Sequence, residues 1–205
     1  MRIGVSFAAV TVFGVLGALA CSKAQPDPPS ASDAGAASAT VHAGAMPVAK
    51  MTLTSTSFDA GGPIPTRFTC EGQGTSPQLG WTAPPPGTKS LALVVSDPDA
   101  PDPRAPQHTW VHWVLYDLPP SMRELPEGAK EPPVGARAGA NDFKRTGWDG
   151  PCPPVGRHRY VYEIHALDTE LPDLRNPTKA DLEKAMAGHV LAKGELVGTY
   201  QKIGK

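Results

Sequence analysis

The sequence predicts a mainly β domain, an antiparallel β-sandwich of Greek-key type with few short helices. Three observations predict it. Leu91-Ala92-Leu93-Val94-Val95 is an unbroken apolar run of strand length, as expected of a central strand buried on both faces. Residues 110–116 and 160–167 instead alternate with the period of two that sends neighbouring side chains to opposite faces of a sheet. Proline clusters at Pro84-Pro85-Pro86 and Pro119-Pro120 separate the runs, and proline excludes a central strand where it falls.

Each element follows from its own pattern. On the strand over 110–116, Trp110, His112, Val114 and Tyr116 are expected on one face, with Val111, Trp113 and Leu115 on the other. On the strand over 160–167, Tyr160, Tyr162 and Ile164 share one face, and Val161, Glu163 and His165 share the other. A last strand is expected over 196–201. One helix has a clear start, with Thr178 as cap and Asp181 three residues on, an acidic form of the capping box. Leu182, Ala185 and Met186 make its apolar side, and Gly188 ends it.

Ahead of the domain lie two segments of other kinds. Met1-Arg2 followed by the uncharged, largely apolar run Ile3 to Ala20 reads as a secretory signal peptide over 1–20. Ala18-Leu19-Ala20-Cys21 resembles a lipobox, which makes Cys21 the expected lipidation site and attaches the chain to a membrane. Plain secretion after cleavage at Ala20 and an uncleaved anchor are the alternatives. The rest of 21–50 is rich in Ala, Ser, Pro, Gly and Asp, a composition unable to offset chain entropy, so a disordered tether is expected. Its flexible coil would span roughly 30 Å. The domain then occupies 51–205.

The chain has three cysteines. If Cys21 is lipidated in an exported protein, an even pair remains, and a Cys70–Cys152 disulfide is expected. Closing so long a loop contributes on the order of 3–4 kcal/mol. Two buried free thiols are the alternative reading. Without Arg2, Lys23, Lys50, Asp27 and Asp33, the domain has 16 Lys and Arg against 18 Asp and Glu, a net of −2. No basic stripe emerges, which argues against nucleic acid as a partner.

Three segments distant in the chain each bring titratable groups to a strand end. Asp97 and Asp99 close the first apolar strand, His112 sits between Trp110 and Trp113, and His158 opens a strand after Pro153-Pro154. Taken singly, an Asp beside Pro is often a turn former and a His among tryptophans is often a core residue. Taken together, they describe a rigid, proline-walled pocket with a polar floor, because strand ends feeding rigid loops are common places for sites.

Asp97-Pro98-Asp99-Ala100-Pro101 resembles the first signature of the phosphatidylethanolamine-binding protein family. Pro153-Pro154 followed by His158-Arg159-Tyr160 resembles the second, with His112 in the strand between. Thr69-Cys70-Glu71-Gly72, Ser76-Pro77 and Gly188-His189-Val190-Leu191 resemble its bacterial Raf-kinase-inhibitor-like branch. The resemblance covers roughly residues 52–202. It implies a pocket for small anions such as phosphate, acetate or the phosphorylethanolamine head group, with no cofactor. The implied ligand-binding residues are Asp97, Asp99, Pro101, His112, Pro154, His158 and Tyr160, with Pro101 and Cys152 on the rim. In that picture His112 and His158 donate to anion oxygens, and Asp97 orients an imidazole. Tyr160 adds a hydroxyl donor or a ring wall. Asp99 accepts from an ammonium or fixes the loop.

The expected function is a non-enzymatic binding module at a bacterial cell envelope. An inhibitor or regulator acting on a partner protein through the pocket rim is the alternative. Enzyme chemistry is not expected, since no Gly-x-Ser-x-Gly nucleophile motif occurs, and no Glu-x-x-His spacing points to a metal.

Overall fold

In a computed structural model that describes residues 48–129 and 131–203, strands dominate. They are β1 (Ala49–Lys50), β2 (Leu53–Thr54), β3 (Leu79–Trp81), β4 (Ser90–Asp97), β5 (Trp110–Leu118), β6 (Glu124–Leu125), β7 (Arg137–Ala138), β8 (His158–Leu167) and β9 (Val190–Tyr200). A 3-10 turn covers Thr66–Phe68, and helix α1 covers Lys179–Met186. One sheet has the order β1-β9-β8-β4-β5-β7 and the other β2-β3-β6. Every pairing is antiparallel except that of β1 with β9. The signal peptide over 1–20, Cys21 and most of the tether lie outside the described residues. Ala49 and Lys50, expected in the tether, instead form β1 and pair with Ala192 and Lys193.

The sandwich and antiparallel pairing match the sequence expectation. β4 is buried along all eight residues because it faces two cores. Leu91, Leu93 and Val95 enter the core between the sheets, with Leu79, Trp81 and Leu125. Ala92 and Val94 enter a second core, shared with Val114, Tyr116, Leu182 and Met186 of α1. Burying each large aliphatic side chain contributes about 1.5–3 kcal/mol. The helix begins as its sequence predicts. Thr178 and Asp181 form a reciprocal capping box, and Leu182 and Met186 are buried.

The last strand is longer than expected, because its inward positions are mostly small. Ala192, Gly194 and Gly198 leave no apolar pattern to read. The structure shows why they are small: a Cβ at Gly194 would come within 2.9 Å of the Met51 carbonyl oxygen, and one at Gly198 within 2.7 Å of Ile64 Cγ1.

Candidate functional site

The site gathers at one end of the larger sheet. Antiparallel pairing places the end of β4 beside the starts of β5 and β8: Asp97 pairs with Trp110, Ser96 with Val111, and Ser96 with Val161. A cavity of about 330 Å³ opens there. Asp97, His112 and Tyr160 line it from the strands. Ala100, Pro101 and His108 come from the loop after β4. Phe143, Cys152, Pro153 and Pro154 come from the loop before β8, and Trp110 adds a further aromatic wall.

His112 reaches this cavity through a change of register. Val95 pairs with Trp113, and Ser96 pairs with Val111, so His112 is a surplus residue in β5. Such a bulge re-aims side chains. The expected common face of Trp110, His112, Val114 and Tyr116 is therefore broken. Val114 and Tyr116 pack in the helix-side core with Val111, whereas Trp113 packs between the sheets. His112 turns toward Tyr160, with ring centroids 5.2 Å apart, and toward Phe143 and Trp148.

His112 is 2% exposed. Its Nδ1 lies 2.6 Å from the Asp149 carbonyl oxygen, which can only accept, so Nδ1 carries the proton. Among the described residues no protein group bonds Nε2. Burial is the main influence on the ring and pushes its pKa below the usual histidine value, against the Asp149 carbonyl and the carboxylates of Asp97, Asp149 and Asp142. The loop holding this carbonyl is tied to itself. Asn141 Nδ2 donates to Asp149 Oδ2 at 2.7 Å, and Arg145 pairs with Asp149 and donates its backbone N–H to Asn141 Oδ1. Sequence reasoning missed Asn141, Arg145 and Asp149, whose polar loop looks like any solvated loop.

Asp97 and Asp99 divide their tasks. Asp97 lines the cavity, but its oxygens are engaged: Oδ1 accepts the Asp99 N–H at 2.8 Å, and Oδ2 lies 2.7 Å from His158 Nδ1. His158 is fully buried and does not line the cavity. Its Nε2 faces the Val155 carbonyl oxygen at 2.9 Å. Both ring nitrogens therefore face protein acceptors, and the donor role toward a ligand expected of His158 is not open to it. Asp99 also lies off the cavity. It accepts from the Arg159 backbone N–H, Nε and Nη2 at 2.6–2.9 Å, which fixes the loop. The Arg159 side chain is the main reason that its carboxyl is held below the usual range. Pro101, Pro154, Tyr160 and Cys152 do line the cavity.

Tyr160 lines the cavity although it is fully buried, and among the described residues its hydroxyl has no hydrogen-bond partner. Burial, then the Asp97 carboxylate, pushes its pKa up, so the hydroxyl remains a donor. Behind it, the Tyr162 hydroxyl and Trp148 Nε1 are likewise buried without partners, and Trp148 stacks on Tyr162.

The Pro151–Pro154 wall is fixed from outside. Cys152 is bridged to Cys70, with Cα atoms 5.4 Å apart, and the Cys70 N–H donates to the Pro151 carbonyl. Gly150 allows this approach, since a Cβ there would lie 2.4 Å from the Phe68 carbonyl oxygen. Among the described residues no cluster of three or more His, Cys, Asp or Glu is placed to hold a metal.

Fold and cavity together define a class: a two-sheet β-sandwich with a strand-end cavity, walled by prolines and aromatic rings. Comparison with known proteins agrees. The phosphatidylethanolamine-binding protein profile matches residues 54–201. UPF0098 proteins of Chlamydia muridarum and Methanothermobacter thermautotrophicus are 43% and 41% identical to this chain, over 74% of its length and 99% of theirs. The crystal structure of the homologue CT736 from Chlamydia trachomatis superposes with a TM-score of 0.69 at 42% identity, covering 75% of this chain and 98% of that one. E. coli YbcL, described as a new member of the mammalian family, gives 0.68 at 33%, covering 75% and 99%. The chain belongs to the phosphatidylethanolamine-binding protein family.

Proposed function

We propose that the chain is a non-enzymatic binding protein whose cavity takes a small oxyanionic head group, such as phosphate or phosphorylethanolamine, at the cell envelope. One observation carries the reading. Tyr160, whose buried hydroxyl has no partner among the described residues, and His112, whose Nε2 has none, both line a largely apolar cavity. Pockets of this kind use apolar walls and a few placed polar groups to hold a ligand, and the cavity volume is at the small end of their usual range. The imidazole paired with a carboxylate, His158, has both nitrogens engaged, so that pair has none to take a proton from a nucleophile.

The test is a titration of the full chain with phosphate and phosphorylethanolamine, followed by calorimetry and the histidine ring signals. Saturable shifts of His112 with unmoved His158 are expected, and the heat of binding should be lost in His112→Ala. No saturable change at millimolar ligand sinks the reading. Envelope attachment through a lipid on Cys21 is part of the same proposal, supported by a Cys70–Cys152 bridge suited to an oxidising compartment. Fatty-acid labelling that survives Cys21→Ser would overturn it.

A further inference from the structure

We propose that the cavity admits its ligand as a proton-bearing oxyacid, with the His112 Nε2 lone pair accepting from the ligand, so that a phosphomonoester is bound as its monoanion. This rests on the oxyanion reading above and specifies which charge form is selected.

The argument is a count of donors and acceptors. The Asp149 carbonyl fixes the His112 proton on Nδ1, so the neutral ring presents a lone pair at Nε2. The nearby Asp97 carboxylate adds negative charge, its oxygens already engaged by the Asp99 N–H and His158 Nδ1. Tyr160 supplies a hydroxyl donor. Among the described residues no Lys or Arg lines the cavity: Arg159 is turned to Asp99, and Arg145 to Asp149. A fully ionised phosphoryl group carries only acceptors, and would meet a lone pair and a carboxylate with one hydroxyl to hold it. Desolvating such a dianion without a counter-charge is expensive. A P–O–H group reverses the mismatch, since it donates to Nε2 while another phosphoryl oxygen accepts from Tyr160.

The groups facing His112 are consistent with a neutral ring in the free protein. Asp97 on β4, and Asp142 and Asp149 on the 139–149 loop, favour a proton on it, but burial outweighs them. Tyr160 on β8 is held protonated. His108 is the other titratable cavity residue, packed on Trp110 with ring centroids 5.8 Å apart.

A measurable linkage follows. Phosphomonoesters lose their second proton near pH 6, so at pH 8 free ligand and free His112 both lack the proton that the complex holds. Binding of phosphorylethanolamine to the full chain then takes up about one proton at pH 8 and close to none at pH 5. Affinity falls about tenfold per pH unit between 7 and 8. Calorimetry in two buffers of unlike ionisation enthalpy reads the proton count directly, without a variant. Nitrogen-15 ring signals locate the proton, and a change at His112 Nε2 is expected. Measurable binding with no proton uptake at pH 8, or uptake that appears on His108, overturns this inference while leaving the cavity a binding site. No binding at either pH removes both.

Discussion

Two polar regions at the same strand ends are built on opposite terms. The Asp97–His158 and Asp99–Arg159 pairs spend every carboxylate oxygen and both imidazole nitrogens on protein partners. By contrast, Trp148 Nε1 and the hydroxyls of Tyr160 and Tyr162 are buried with no partner among the described residues. Leaving a buried donor unsatisfied costs about 1–3 kcal/mol each. The first region is therefore frame, and gives the cavity its shape. The second holds bonding capacity in reserve, and only its Tyr160 member reaches the cavity. Titratable residues at a site are not for that reason its ligand contacts.

The contrast can be broken most sharply at Asp97. Asp97→Ala removes the partner of a fully buried imidazole and of the Asp99 N–H. Breaking a buried pair from one side costs about 3–5 kcal/mol, and urea unfolding should show it. A loss under about 1 kcal/mol would mean that the pair does not frame the site.

A half-buried histidine remote from the cavity provides a control. Burial pushes His165 down to about 4, with Glu163 opposing and Lys193 assisting. The unfolded chain binds this proton near pH 6.5 and the folded chain does not, so stability is full above 6.5 and falls as the pH drops toward 4. The loss is on the order of 2–3 kcal/mol, and His165→Asn should flatten that part of a denaturation series across pH. Asp99 acts in another window. Its lowered carboxyl adds stability above about pH 4, lost as pH falls through its folded value. A pH profile that stays flat from 6.5 to 4 in the parent chain would contradict the His165 assignment.

The smallest effect is the most discriminating. Tyr162→Phe deletes a hydroxyl that bonds nothing, so thermal stability should hold or rise by about 1 kcal/mol. Tyr160→Phe should do the same, yet weaken phosphorylethanolamine several-fold. Destabilisation of Tyr162→Phe by more than about 1 kcal/mol would show that the hydroxyl is satisfied, and the contrast would lose one side.

The frame was largely legible in the sequence. The apolar run of β4, the alternation of β8 and the capping box at Thr178 depend on local periodicity and chemistry. β9 was half-hidden because close packing against Met51, Phe58 and Ile64 demands small residues where a pattern would need large ones. At the site, Asp97, His112 and Tyr160 were legible as cavity residues. The engagement of His158 by Val155, and the hold of Asp149 on His112, were not. Both are backbone carbonyl contacts, which depend on how a loop closes and leave no residue-type signal.

One surplus residue determines what this end of the sheet is. Delete His112 from the register and Asp97 still meets Trp110, Ser96 still meets Val111, and Val95 still meets Trp113, with no irregularity left at this end of the strand pair. The sheet has no structural need of that position. Shortening β5 by that one residue is therefore expected to remove the cavity base while leaving the neighbouring pairs in register.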